Sequence, residues 1–187
     1  MNYLSKGAVL KTSTTQNLCV TLCGMDYMLT GIGAKLWLEG RFQCSIVTDA
    51  RELQHLGKLE EMGLVEVSEK KGADAYYELL TRCIICPAKK KQINYPLASA
   101  EAKVWKWISQ AGLRLTIGEL VKLFESGTEP TIELLGAGNT QDLTMLLYRD
   151  DLNFDTTLEI KMEDSPQRDE VVNTVMKLLR KKRIILT

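Results

Sequence analysis

Apolar residues recur at helical spacing in the stretch that follows Asp49. Four of them define one face of a helix: Leu53, Leu56, Leu59 and Met62. Asp49 precedes this face as an N-cap, Glu52 stands three residues later as in a capping box, and Gly63 follows the last turn. The pattern predicts an amphipathic helix with a defined start and end.

The elements around this helix follow the order of a winged helix. Residues 64–67 (LVEV) predict a strand, residues 68–74 a polar turn, and residues 76–80 (YYELL) a second strand. Earlier in the chain the pattern predicts three short strands and a helix, at residues 7–13, 18–23, 25–29 and 33–38. Residues 43–48 are ambiguous between a short helix and a turn.

Eleven residues of the chain occur twice in similar form. Residues 27–37 (YMLTGIGAKLW) return as residues 95–105 (YPLASAEAKVW), with Tyr, Leu, Ala, Lys and Trp at equal spacing. An alignment at an offset of 120 also places Leu59 on Leu179 and residues 64–65 on residues 184–185. Self-similarity of this kind predicts a duplicated structural unit, with both tryptophans, Trp37 and Trp105, in the core.

The second copy begins at residue 82. Its predicted strands lie at residues 82–86, 93–97, 157–162 and 183–186. Its predicted helices start at Ala102, at Ile117 after a Thr116 cap, at Gln141, and after Ser165 and Pro166 as N-cap and N1. We therefore expect an α+β fold of two tandem winged helix-turn-helix-like domains, residues 1–81 and 82–187. Each would hold a short antiparallel sheet and about three helices, and residues 128–164 would be an acidic insertion in the second.

Composition narrows the class of protein. Lysine plus arginine equals aspartate plus glutamate at 24 each, and no apolar run is long enough for a membrane span. The N-terminus lacks a secretory signal pattern, so we expect a cytoplasmic protein. Residues 82–122 hold eight basic and two acidic side chains, whereas residues 128–170 hold three basic and eleven acidic. Such alternation favours contact with another protein over general nucleic-acid binding.

The repeat resembles PqqD-like domains, winged-helix modules that recognise precursor peptides of ribosomally made, modified natural products. The resemblance rests on Tyr-x-Leu, the Ala-x-[Leu/Val]-Trp helix, the Thr116-capped helix and a helix ending in Gly-Leu-Val, and it covers about half the chain. It implies that a peptide lies as an added strand beside the third strand and packs against the last helix. The partner would then be a peptide or a protein such as a peptide-modifying enzyme. The implied contact residues are Met25, Tyr27, Leu29, Leu53, Leu56 and Glu60 in the first copy, with Ile93, Tyr95, Val172 and Met176 in the second.

The alternative function is a winged-helix transcriptional regulator. Its DNA-contacting residues would be Arg51, His55 and Lys58 on the helix after Asp49, and Lys177, Arg180, Lys181, Lys182 and Arg183 at the end of the last helix. Three glutamates on the first of these helices, Glu52, Glu60 and Glu61, would oppose phosphates. The basic end of the last helix is equally typical of a solvated helix C-terminus.

Neither catalysis nor a cofactor is expected. The chain has no glycine-rich phosphate loop and no H-E-x-x-H motif, and His55 is its one histidine. Four of the five cysteines form two close pairs with the spacing of a structural zinc site: Cys19, Cys23, Cys83 and Cys86. The residues between Cys83 and Cys86 are both isoleucine, which favours a buried strand and small core thiols over metal binding.

Overall fold

The chain is an α+β protein whose short strands form small antiparallel sheets. The computed structural model describes residues 1–14, 17–88, 99–110, 114–131, 134, 140–148 and 157–187. These residues form, in chain order, β1 (Asn2–Ser5), β2 (Ala8–Val9), β3 (Leu18–Leu22), β4 (Met25–Leu29), α1 (Gly31–Gly40), β5 (Ser45–Ile46), α2 (Ala50–Glu61), β6 (Val65–Ser68), α3 (Gly72–Thr81), β7 (Ile85–Pro87), α4 (Ala100–Gln110), α5 (Ile117–Glu125), α6 (Thr140–Tyr148), α7 (Leu158–Lys161), α8 (Arg168–Arg180) and β8 (Ile184–Leu186).

The three strands predicted before the first helix are confirmed as a meander of order β2-β3-β4. Residues of β3 alternate between buried and half-buried, as a strand with one face on the core requires. β3 and β4 are joined by Cys23 and Gly24, whose φ angles are 50° and 82°. Two positive φ angles in succession are typical of the two-residue turn that matches the twist of a hairpin.

Helices α1 and α2 cover this sheet and form the first of two cores. Trp37 is fully buried there, and its Nε1 donates a hydrogen bond to the carbonyl of Lys6 at 2.9 Å. The predicted Asp49 cap is confirmed, because its carboxylate accepts from the backbone N–H groups of Arg51 and Glu52. The Glu52 side chain pairs with Lys35 of α1 at 2.8 Å, so it links the two helices.

Strand β1 was not predicted, yet it lies between the two cores. It is the central strand of a second sheet, β5-β1-β6, antiparallel to both neighbours. Consecutive strand residues point to opposite faces. Accordingly, fully buried Tyr3 belongs to the first core and fully buried Leu4 to the second. The ambiguous residues 43–48 contain β5, which pairs with this strand.

Residues 76–80 were predicted as a strand, and this prediction was wrong. They lie in helix α3, whose buried residues Ala75, Tyr77, Leu79 and Leu80 belong to the second core. The residue pairs 75–79 and 76–80 are four apart and so share a face of a helix. The partner expected for β6 is supplied instead by β1 from the other end of the unit. The domain boundary at residue 81 stays a prediction, although α3 packs with the core of the second unit.

The second core is built mainly by helices. It contains fully buried Trp107 and Val104 of α4 together with Leu120 of α5, and α8 supplies seven buried residues. Trp105 is 5% exposed, so the prediction that both repeated tryptophans are core residues is confirmed. Strand β7 pairs with β8. Its expected partner, residues 93–97, lies outside the described residues.

The capping box predicted for α5 is confirmed. The hydroxyl of Thr116 accepts from the backbone N–H of Glu119 at 3.2 Å, and the Glu119 carboxylate accepts from the backbone N–H of Thr116 at 2.8 Å. Both bonds satisfy N–H groups that a helix start leaves without partners.

Two other predictions about the second unit were wrong. Residues 157–162 were expected to form a strand, but they contain the short helix α7, whose backbone packs against Gly118 of α5. A side chain at position 118 would place a Cβ 3.1 Å from the backbone of Glu159. Helix α8 starts at Arg168 with Gln167 as its N-cap, because Ser165 and Pro166 form a turn that precedes it.

The predicted repeat of the helix-to-strand joint is present, but at an offset of 119. The N–H of Leu64 donates to the carbonyl of Leu59 at 2.9 Å, and the N–H of Arg183 donates to the carbonyl of Leu178 at 3.0 Å. Gly63 therefore corresponds to Lys182, and their φ angles are 70° and 56°. The predicted offset of 120 was wrong by one residue. Neighbouring apolar residues can be aligned in either of two registers, whereas the backbone hydrogen bonds define only one.

Candidate functional site

Strand β4 offers one edge that no described strand occupies. It pairs with β3 from Leu22↔Met25 to Leu18↔Leu29 and is the last strand of its sheet. Across a two-residue turn, the pair next to the turn exchanges both backbone hydrogen bonds, and such pairs then alternate along the ladder. Asp26 and Met28 therefore direct their backbone N–H and C=O groups away from β3. An extended segment of another chain would meet these groups first.

Exposed methionines flank this edge. Met25 is 59% exposed and Met28 67% exposed, on opposite faces of the sheet. Tyr27 is half-buried against the first core, with its hydroxyl 3.9 Å from the sulfur of Met25. Methionine is flexible and polarisable, so it adapts to apolar side chains of different shapes. The edge thus combines fixed backbone groups with adaptable side chains.

The apolar groove expected beside β4 is only partly formed by the predicted residues. Leu29 and Leu56 are 5% and 1% exposed. Their side chains form the first core, and their contact with a peptide stays a prediction. Glu60 is exposed on α2. Leu53 lines a different pocket, of about 720 Å³, together with Ile46 of β5.

The second predicted edge, residues 93–97, falls in a part of the chain that the structure does not describe. Ile93 and Tyr95 lie outside the described residues. Val172 and Met176, expected to face that edge, are 0% and 1% exposed in the second core. Helix α8 is buried along most of one side between α3, α4 and α5, and the contact of these two residues with a peptide stays a prediction.

The residues predicted to contact DNA fall on two separate helices. On α2, Arg51 and Lys58 are exposed and His55 is half-buried, but Glu60 and Glu61 are exposed on the same helix. A phosphate backbone along α2 would therefore meet both signs of charge.

The basic residues that end α8 are mostly exposed. Lys177, Arg180 and Lys182 are exposed, and Arg183 is half-buried. Lys181 pairs with Glu101 of α4 at 2.7 Å. Cations near a helix C-terminus are favoured by the helix dipole whatever else they do.

The cysteines do not meet in one place. Cys19 lies on β3 and Cys23 in the hairpin turn, whereas Cys83 is buried in the second core and Cys86 lies on β7. Within the described ranges no three His, Cys, Asp or Glu side chains are grouped to hold a metal ion. The four-thiol zinc site is therefore not formed by these residues. Burial raises the pKa of the Cys83 thiol to about 12, as expected of an apolar core residue.

Asp26 and Met28 lie within the predicted edge strand, residues 25–29, but were not singled out as contact residues. Counting two residues at a time from the Cys23–Gly24 turn would have identified their outward backbone groups, because that alternation follows from the turn itself. The sequence argument missed Arg41 and Phe42, which lie after α1 and carry no recognisable pattern.

No protein-family model matches the chain, and neither the characterised proteins nor the solved structures with which it was compared include a match. Of the helices in the described ranges, none combines the length and apolar character needed to cross a membrane.

Proposed function

We propose that this protein is a non-catalytic, cytoplasmic binding protein that takes up an extended peptide segment as an added strand beside β4. The observation that carries the proposal is the free edge of the β2-β3-β4 sheet, where Asp26 and Met28 present outward backbone groups. Strand addition draws its affinity from main-chain hydrogen bonds and its selectivity from the side chains that flank the edge. The peptide or its parent protein is thus the partner.

The order of elements around β4 supports the proposal that this edge belongs to a winged-helix-like unit. The meander β2-β3-β4, the two helices that follow it and the repeated helix-to-strand joint agree with the order expected from the resemblance to PqqD-like domains. By that resemblance, the bound segment is a precursor peptide that the protein presents to a modifying enzyme. The edge itself does not require this origin, because backbone bonds are independent of sequence.

The side chains around the edge favour an amphipathic segment. Side chains of an added strand alternate between the two faces of the sheet. On each face one of them meets an exposed methionine, Met25 on one side and Met28 on the other. Asp26 is exposed beside them and favours a basic side chain nearby. We therefore expect selected peptides to carry two apolar residues three positions apart, one on each face, and a lysine or arginine between them.

The test uses two substitutions at one position. Met28→Ala removes the side chain but keeps the N–H, whereas Met28→Pro also removes the outward N–H and leaves the bonds to β3 intact. Short peptides are selected against the wild-type protein from a random display library, then labelled and measured by fluorescence anisotropy. Met28→Pro removes one hydrogen bond to the peptide and disturbs the geometry of the adjacent ones. We therefore expect its Kd to be about tenfold larger than that of Met28→Ala.

A second readout locates the contact. Binding should slow hydrogen exchange at the amides of Asp26 and Met28, which face outward in the free protein. Equal affinities of the alanine and proline variants, with unchanged exchange at these amides, would show that peptides bind elsewhere. Failure of the library to yield any binder would likewise contradict the proposal.

A further inference from the structure

Three cations gather where the end of α8 meets the segment after α1. The guanidinium of Arg41 lies over the ring of Phe42, 4.5 Å from its centroid, and the Nζ of Lys182 lies 5.3 Å from the same centroid. Arg180 lies close enough to Cys44 to act electrostatically on its thiol. Arg183 follows Lys182 directly. We call Arg41, Phe42, Arg180, Lys182 and Arg183 the Phe42 patch.

These cations have no acidic partner within the part of the chain that the structure describes. The Nε atoms of Arg41 and Arg183 are buried and donate no hydrogen bond. Lys181, in contrast, is held by both carboxylate oxygens of Glu101, at 2.7 and 3.0 Å. Burying part of a charged group without a counter-charge is unfavourable, so an anion that reaches these guanidinium groups gains more than it would at a solvated lysine.

The backbone at Lys182 gives an independent indication. Lys182 has a φ of 56° in the position after a helix end where glycine is favoured, and Gly63 occupies the equivalent position of the first unit. A lysine in this left-handed conformation is strained, whereas glycine adopts it freely. Despite this strain, the position holds a lysine whose side chain contacts Phe42, a contact that glycine could not make.

We propose that the Phe42 patch is a docking site for an acidic segment of a partner polypeptide. Guanidinium groups present forked donors that match carboxylates, and the aromatic ring holds two of the cations in place. Nucleic acid fits less well, because its affinity for a protein increases with the number of phosphates that basic side chains contact, and this patch is short. Here the chain is neutral as a whole, and Lys181, next to Lys182 in the sequence, is already paired with Glu101. The patch is separate from the β4 edge and does not depend on it.

The test uses a fluorescein-labelled peptide made only of glutamate, with a glutamine peptide of equal length and a DNA duplex as comparisons. We expect the glutamate peptide to bind and to weaken as salt rises, because exposed charge pairs are screened. Lys182→Gly removes one cation and the strain together. It should unfold at a higher urea concentration than wild type and bind the peptide about fivefold more weakly.

Two further variants complete the design. Arg41→Gln should weaken binding about tenfold, since hydrogen bonds to charged groups are the stronger ones. Lys58→Gln removes an exposed cation at the end of α2 and should leave affinity unchanged. The proposal is overturned by an unaffected Lys182→Gly, by equal binding of the glutamine peptide, or by tighter binding of the DNA.

Discussion

Gly40 ends α1 against β1, and replacing it with alanine tests how closely these two elements pack. An added Cβ would lie 2.6 Å from the Oγ of Ser5 and 2.6 Å from Cε2 of Tyr3. Neither neighbour has room to move, because Tyr3 is 0% exposed and Ser5 2% exposed. Both belong to the central strand of the β5-β1-β6 sheet. The clash therefore acts on the strand that lies between the two cores.

The expected loss of stability follows from two opposed effects. Overpacking a filled site typically costs about 1–3 kcal/mol, whereas exchange of a helical glycine for alanine gains about 0.5–1 kcal/mol. We expect Gly40→Ala to lower the free energy of unfolding by about 1–2 kcal/mol. Gly33→Ala is the matched control in the same helix, because nothing lies within 4 Å of a Cβ added there. That variant should be more stable than wild type by about 0.5 kcal/mol.

Urea unfolding followed by far-ultraviolet circular dichroism measures both variants, with the m-value as a check that the same surface unfolds. The double variant with Ser5→Ala should recover part of the loss, since it removes one of the two clashing atoms. If Gly40→Ala proved as stable as Gly33→Ala, the close packing of α1 on β1 would be refuted.

Four other predictions concern the second unit, the buried ionisable groups and one exposed thiol. Thr116→Ala removes the capping box of α5 and should lower the free energy of unfolding in urea by about 1 kcal/mol. Thr116→Ser should retain most of that stability, because its hydroxyl can still cap the helix. Gly118→Ala should cost about 1–3 kcal/mol and shift the amide resonances of α7, because the new Cβ meets its backbone. Burial raises the pKa of Tyr3 to about 12, so its neutral form stabilises the fold below pH 10 and this contribution is lost as pH rises towards 12. Tyr3→Phe should flatten that alkaline slope. In native protein a thiol reagent should modify exposed Cys23 rapidly and buried Cys83 only on unfolding; prompt reaction of both would contradict the second core.

Local signals in the sequence were enough to locate several elements. The Asp49 cap, the Thr116 capping box and the strand at residues 25–29 were predicted correctly, and the strand predicted at residues 18–23 ends one residue earlier, at Leu22. Each of these features depends on residues within four positions of one another, so a single helix turn or hairpin turn determines it. The similar helix-to-strand joints at residues 59–64 and 178–183 were also recognisable from apolar spacing, although one residue out of register.

The errors arose where an element depends on a distant partner. Residues 76–80 have the β-prone composition of a strand, but β1 already pairs with β6, and the helix buries the same residues in the second core. Likewise, the sequence does not show that Leu56 and Met176 are buried in the two cores, because apolar positions look alike whether they line a groove or a core.

What the sequence by itself determined is the caps of α2 and α5 and the strands and helices that depend on neighbouring residues. The tertiary structure decided which strand pairs with which, and hence that no described strand occupies the outer edge of β4. It also decided that Arg41 and Lys182, far apart in the chain, meet at one aromatic ring. The physical reason is that hydrogen bonds within a helix or hairpin are short in sequence. Strand order and the meeting of charges depend instead on how both cores pack.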